Sequence, residues 1–237
     1  KKEFPTIWCP ECQTAIAQAE LEDKELPSLF STLKFKVVGE TKDLPIATTR
    51  PELLPACVAV FVHPNDKRYK YLAGKKAKVP LFDLEVPILT DKSADIEKGT
   101  GVLMVCSYGD KYDVDAIHRH KLQPRVVFTY DGKLGVEPYG GMRIKDAREK
   151  ILKDLEDAGL IIEQKNISHV VNIHDKCGTA IEFLPTEQWF IKILDIKKKL
   201  IEQGKKIKWH PKFMHKRYEN WVSGLDWDWA ISRDRHF

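Results

Sequence analysis

Residues 46–64, IATTRPELLPACVAVFVHP, place a crowded polar corner between two apolar runs. A plain turn between buried segments uses Gly, Asn or Asp, yet this one carries Thr48, Thr49, Arg50 and Glu52. Thr49 followed three residues later by Glu52 has the form of a capping box, and Pro51 suits a first helical turn. The corner therefore predicts a short helix starting at TRPELL. Thr48 and Arg50 are left over. An arginine at a helix start opposes the helix dipole, so Arg50 fits better beside an anion.

Outward from this corner, short β-branched runs follow one another between about Lys36 and Val170. They are KFKVVG, LPIATT, CVAVFVHP, AKVPLF, LEVPIL, GVLMVCSY and PRVVFT, separated by Gly, Pro, Asp and Lys. Strands at that spacing predict a barrel or a folded-over sheet. Helices are predicted around Asp113 to His120 and from about Ile144 to Ala158. The second sets Ile144, Ala147, Ile151, Leu155 and Ala158 on one face. The chain thus divides into residues 1–35 with a CxxC knuckle, a mostly β part at 36–170, and residues 171–237, where from about Ile173 the pattern turns helical and aromatic. The expected class is α+β.

With 43% hydrophobic and 31% charged residues, the 237-residue chain has the composition of a soluble globular protein. No apolar run approaches the length that spans a bilayer, and Lys1, Lys2, Glu3 and Phe4 open no signal-peptide core; the expected location is cytoplasmic. The formal charge of +4 is unevenly placed: residues 191–237 hold twelve Lys/Arg against six Asp/Glu. Such a run is either a solvated helix face or a contact for a polyanion.

Five cysteines without an export signal point to metal or buried thiols and away from a disulfide framework. Cys9 and Cys12 lie in WCPEC, His174 and Cys177 in HDKCG. Two such knuckles supply the four donors of a closed tetrahedral zinc site, provided the intervening β part is an insertion whose ends return to one place. The other reading is a pair of reduced thiols beside an unrelated histidine. A redox CxxC would need a surrounding thioredoxin-like βαβ unit, and the sequence offers none. Cys57 and Cys106 sit in apolar runs, as buried small hydrophobes do.

The remaining concentrated chemistry is GTGVLMVCSYGDKYDVDAIHRH, residues 99–120. Asp110 and Asp113 stand at i, i+3 at a helix entrance, where a carboxylate caps free backbone donors. Capping accounts for one aspartate readily and for two less well.

Taken together, ATTRPELLPACVAVFVHP, the Gly99–His120 run, HDKCGTAIEFLPTEQWF, RYENWVSGLDWDWAISRDRHF and WCPECQTAIAQAELED resemble valyl-tRNA synthetases, class I aminoacyl-tRNA synthetases, nearly end to end, and among them the archaeal-type branch. The TTRPE corner is shared with leucyl enzymes, whereas ELLPACVAV and the RYENW to ISR run look valyl-like. The resemblance implies that residues 36–170 are the barrel-like editing domain (CP1), inserted through a zinc-knuckle stalk into a Rossmann core. Residues 171–237 would then be the stalk's return and the start of re-entry into that core. It implies post-transfer hydrolysis of threonyl-tRNA(Val), with Asp113 on the α-ammonium and Asp110 on the threonine hydroxyl. Arg50, Thr48 and Thr49 would hold the ester end and the terminal nucleotide, and Glu52, Leu53, Met104 and Cys106 would line the substrate. A positioned water is the implied nucleophile.

Such a second site is needed because a pocket shaped for valine rejects the isosteric threonine only about a hundredfold. Leu53, Met104 and Cys106 depart from the better-known bacterial pattern of threonine, lysine and threonine, which removes three polar contacts, and Cys9, Cys12, His174 and Cys177 form a Cys3His set where four cysteines are usual. No HIGH-like or KMSKS-like ATP signature occurs, and the chain stops within what would be the nucleotide fold. The expectation is an excised piece, monomeric, that meets the tRNA(Val) 3′ end and misactivated threonine. ATP would serve only the full-length ligase. Competing readings are an isoleucyl- or leucyl-type editing domain, a non-catalytic RNA-binding module and a free-standing hydrolase.

Overall fold

The computed structural model describes residues 1–234; the last three residues of the ISRDRHF run, and with them the end of the expected 171–237 part, lie outside the described residues. In chain order the strands are β1 (Lys2–Cys9), β2 (Thr14–Ala15), β3 (Leu21–Val37), β4 (Leu44–Thr48), β5 (Cys57–Val62), β6 (Lys76–Val79), β7 (Leu84–Thr90), β8 (Val102–Cys106), β9 (Ile161–His174), β10 (Glu182–Gln188), β11 (Phe190–Ile191) and β12 (Trp229–Ala230). The helices are α1 (Lys111–His120), α2 (Ile144–Asp157), α3 (Lys197–Gly204) and α4 (Met214–Ser223). The chain is α+β and forms two compact units, the first of residues 1–22, 172–181 and 185–237, the second of residues 23–171 and 182–184.

The second unit is built on the strand path β4-β3-β6-β7-β5-β8, with β9 pairing β3. Only β5 and β7 run parallel; the other pairs in the path are antiparallel. β4 and β8, at the two ends of the path, pack on each other, so the sheet is nearly closed like a barrel. Alternation in β3 buries Ser31, Leu33, Phe35 and Val37, as a strand with one core face does. β5 lies between β7 and β8, which is why CVAVFV is buried almost throughout instead of alternating. α2 lays Ala147, Ile151 and Leu155 inward and packs on the 3-10 turn Pro51–Ala56, while Ala158 caps its carboxyl end and is exposed.

Three sequence expectations need correction. PRVVFT is not a strand: only Phe128 makes a bridge, to Leu134. The amide of Arg125 is taken by the Ser107 hydroxyl instead of a ladder, and Val126 is exposed. The change to helix does not come at Ile173, because β9 runs to His174 and β10 alternates through FLPTEQ before α3 begins at Lys197. The Thr49–Glu52 capping box does not form. Arg50 is the N-cap, the Thr48 hydroxyl accepts the Arg50 amide at 3.0 Å, and the Glu52 carboxylate is drawn to two guanidinium groups instead.

The first unit carries the sheet β10-β1-β2, the β11/β12 pair and the α3–α4 hairpin. Gly204 lets that hairpin close, since a Cβ there would stand 2.4 Å from the Tyr218 ring, and the Tyr218 hydroxyl donates to the Leu200 carbonyl at 2.8 Å. No helix among the described residues is long and apolar enough to cross a membrane.

Candidate active site and metal centre

β8 delivers the chain to Ser107, Tyr108 and Gly109, and α1 begins directly afterwards. Asp110 is the N-cap, its Oδ1 accepting the Asp113 amide at 2.9 Å. The capping reading therefore accounts for Asp110. It does not account for Asp113, whose Oδ1 accepts the Cys106 amide at 3.2 Å, so the carboxylate turns back over the end of β8. Asp113 is half-buried and, among the described residues, has no ion-pair partner. Burial, first, and the neighbouring Asp110 carboxylate raise its pKa well above the usual carboxylate range, against the Cys106 hydrogen bond and the attraction of Arg50.

Gly109 explains how the loop comes so close. A Cβ there would lie 2.5 Å from Asp113 Oδ2 and 2.9 Å from Leu53 Cδ1. Leu53 thus flanks the same loop from the Pro51–Ala56 turn. Met104 and Cys106 occupy alternate, buried positions of β8, opposite Val60 and Cys57 of β5. Burial and the Cys57 thiol beside it keep the Cys106 thiol protonated. The Thr49 side chain is half-buried and makes no hydrogen bond among the described residues.

Arg50 is half-buried and its guanidinium is engaged by the protein. Its Nη2 makes a two-pronged pair with Glu182, at 2.8 and 2.7 Å, its Nε donates to Glu52 at 2.9 Å, and its Nη1 donates to the Gly109 carbonyl at 3.2 Å. Arg148 of α2 closes the group with a fork onto Glu52 at 2.8 and 2.7 Å. The anions that Arg50 calls for are the protein's own carboxylates. Glu52 is completely buried; the two arginines outweigh that burial and lower its pKa. Burial dominates at Glu182 and raises its pKa despite Arg50. The sequence reading missed Glu182 and Arg148. Glu182, set between Ile181 and Phe183 in an apolar run, is itself a signal, since a buried carboxylate needs a cation.

In the first unit, Cys9, Cys12, His174 and Cys177 place their ligand atoms within 4.8 Å of one another. Cys9 Sγ is 3.5 Å from Cys177 Sγ, and His174 Nδ1 is 3.5 Å from Cys12 Sγ and 3.4 Å from Cys177 Sγ. A tetrahedral zinc with bonds of about 2.3 Å to sulfur and about 2.1 Å to nitrogen needs ligand atoms roughly 3.5–3.8 Å apart. The donor set and spacing are those of a site that can hold a metal ion, and they are compatible with zinc. Each knuckle turns through a left-handed residue, Gln13 after Cys12 and Gly178 after Cys177, and the Cys12 amide donates to Cys9 Sγ.

A family model described as tRNA synthetases class I (I, L, M and V) matches residues 1–237. This chain belongs to the class I tRNA synthetases. Among its curated relatives, the valine–tRNA ligase of Thermoplasma acidophilum is 47% identical over 235 residues, covering 98% of this chain and 30% of the relative. That of Pyrococcus horikoshii is 44% identical, covering all of this chain and 27% of the relative, and that of Rickettsia conorii is 44% identical over 98% of this chain and 29% of the relative. The synthetase chain therefore spans less than a third of the length of the relatives it matches.

One consequence of the site's electrostatics is independent of substrate. Because the folded synthetase unit holds the Asp113 proton more tightly than the unfolded chain does, stability falls as pH rises from the unfolded value through the raised folded one. Asp113→Asn keeps an acceptor for the Cys106 amide and removes the charge. Calorimetry should show it melting above the parent at pH 8, with the gap closing towards pH 4. A gap that widens on acidification contradicts the assigned burial.

Proposed function

We propose that residues 36–170 act as the editing domain of a valyl-tRNA synthetase and hydrolyse the ester of threonyl-tRNA(Val). The observation that carries this reading is a half-buried carboxylate, Asp113, oriented by a backbone amide and, among the described residues, with no ion-pair partner. An aminoacyl ester brings a free α-ammonium at neutral pH, and the pair makes a charge-assisted hydrogen bond that fixes the scissile carbonyl. Asp110, exposed at the same helix start, reads the threonine hydroxyl. The Thr48–Thr49 corner, with Leu53, Met104 and Cys106, borders the bound ester and the tRNA 3′ end. A water placed by these groups and the ribose hydroxyl attacks the carbonyl, and the ester C–O bond breaks to give threonine and the tRNA hydroxyl; no covalent enzyme intermediate is required.

In this reading Arg50 and Glu52, whose charges are matched within the protein, shape the corner that holds the ester end and the terminal nucleotide. Zinc at Cys9, Cys12, His174 and Cys177 would be structural: all four ligands come from the protein, which leaves no position for substrate. In the full-length enzyme, ATP-dependent ligation of valine to tRNA(Val) would reside outside this chain; location in the cytoplasm and a monomeric state go with that reading.

A hydrolysis-resistant 3′-threonylamido-adenosine tests the site without turnover. It should bind the chain and shift the backbone amide resonances of Cys106 and Asp113, and Asp113→Ala should weaken it at least about tenfold, as loss of a charge-assisted bond does. Shifts confined to the first unit would refute the placement. Gly109→Ala supplies a steric check. The added methyl collides with Asp113 Oδ2 and Leu53, so deacylation should fall at least about tenfold while overpacking costs about 1–3 kcal/mol of stability. Parent-like deacylation would mean that Asp113 does not need its observed position.

A further inference from the structure

Resting on that hydrolytic reading, we propose that Glu182 and Arg148 are positioning residues: through Arg50 and Glu52 they hold the Thr48–Arg50 corner in register with the Gly109–Asp113 loop. Neither residue touches the substrate. They act by fixing the guanidinium that joins the two sides of the site.

Arg50, Glu52, Arg148 and Glu182 form a quartet drawn from three separate pieces of chain, the Pro51–Ala56 turn with its N-cap, α2 and the first residue of β10, and Arg50 ties it to a fourth, the loop before α1. Its pairs join residues 132 and 96 apart in sequence. Both carboxylates are sealed, Glu52 at 0% and Glu182 at 5% exposure, and every carboxylate oxygen accepts at least one guanidinium N–H. The Arg50 guanidinium also lies 5.8 Å from the Phe128 ring centre, which restricts it from a further direction.

Two positive and two negative charges cancel, so the quartet offers no net charge to a polyanion. As a source of stability it is also poor, because desolvating four ions offsets most of their attraction and an apolar cluster of equal volume serves as well or better. What distinguishes it from an apolar cluster is direction. The Arg148 fork fixes the plane of Glu52, and Arg50, held by its Nε on Glu52 and its Nη2 on both Glu182 oxygens, is left with Nη1 aimed at one acceptor, the Gly109 carbonyl. Gly109 abuts the Asp113 carboxylate so closely that no Cβ fits between them. A shift of Gly109 is therefore a shift of Asp113, and misplacement by about 1 Å costs on the order of a hundredfold in rate.

The test uses the full chain. Glu182→Gln preserves shape and removes one charge; Arg148→Lys preserves charge and removes the fork. Each should lower kcat for threonyl-tRNA(Val) about 10- to 100-fold while KM moves less than about threefold, the split expected when positioning is lost and binding is kept. Combined with Arg50→Gln, Glu182→Gln should add little further loss, because both break one link. Hydrogen exchange gives a readout free of turnover: the Cys106 amide, which donates to Asp113 Oδ1, should exchange at least about tenfold faster in both variants, with the other β8 amides unchanged. If the Cys106 amide responds but the parent does not hydrolyse the ester, the hydrolytic reading fails and the positioning stands. Unchanged exchange and kcat in both variants, or uniform loss of protection across the second unit in both, would overturn the proposal.

Discussion

Asp113→Ala should slow hydrolysis of threonyl-tRNA(Val) by at least about a hundredfold, the scale of a lost positioning contact. The substitution removes the acceptor that the Cys106 amide has at the start of α1, and with it the carboxylate that meets the ammonium. The fold should persist. Asp110 still caps the helix through the residue-113 backbone amide, and the burial of Val114 and Ile117 beneath it is untouched. Asp110→Ala should behave differently: it costs about 1 kcal/mol as a lost cap and narrows the preference for threonine over valine. A folded Asp113→Ala chain that deacylates at the parent rate would reduce Asp113 to a structural hydrogen-bond acceptor.

Loss of the metal site should have the second largest effect, and on stability. Freshly reduced protein should carry about one zinc per chain by elemental analysis. His174→Ala, or chelation, should remove it and destabilise the first unit by several kcal/mol, since structural zinc supplies about 10–16 kcal/mol of apparent binding energy in small modules. Hydrogen exchange should then rise around β1 and β2 while the β5 and β8 ladder stays protected, because β5 and β8 belong to the other unit with its own apolar core. Zinc-free purified protein that keeps native protection in β1 and β2 would rule out a structural metal.

How far the sequence discloses this depends on the range of each interaction. Alternation along LKFKV and the 3.6-residue spacing of Ala147, Ile151 and Leu155 are local, and α2 and the end of β3 appear where they predict, although β3 begins at Leu21, well before KFKVVG and across the expected boundary at residue 35. The cysteine clusters are legible for a different reason: metal-ligand spacing is a local signature at each end, and the return of the chain brings the two ends together. β9 is not legible, because IIEQKNISHVV is exposed along most of its length and lacks a buried face to mark it. Arg50 shows the limit most clearly. Its misfit with a helix start points correctly to an anion, but Glu182 is 132 residues away, and nothing local distinguishes an internal carboxylate from a bound phosphate. Arg148 is hidden similarly, as one more charged residue in the largely polar helix IKDAREKILKDLED.

Single-turnover deacylation of threonyl-tRNA(Val) and valyl-tRNA(Val) by the 237-residue chain, without ATP, tests the central claim most directly. The account predicts release of threonine well above the spontaneous rate, with valyl-tRNA(Val) at least about tenfold slower, in proportion to a discriminating contact of more than about 1.4 kcal/mol. Equal rates for both esters, or threonine release no faster than in buffer by a folded, zinc-loaded chain, would contradict it.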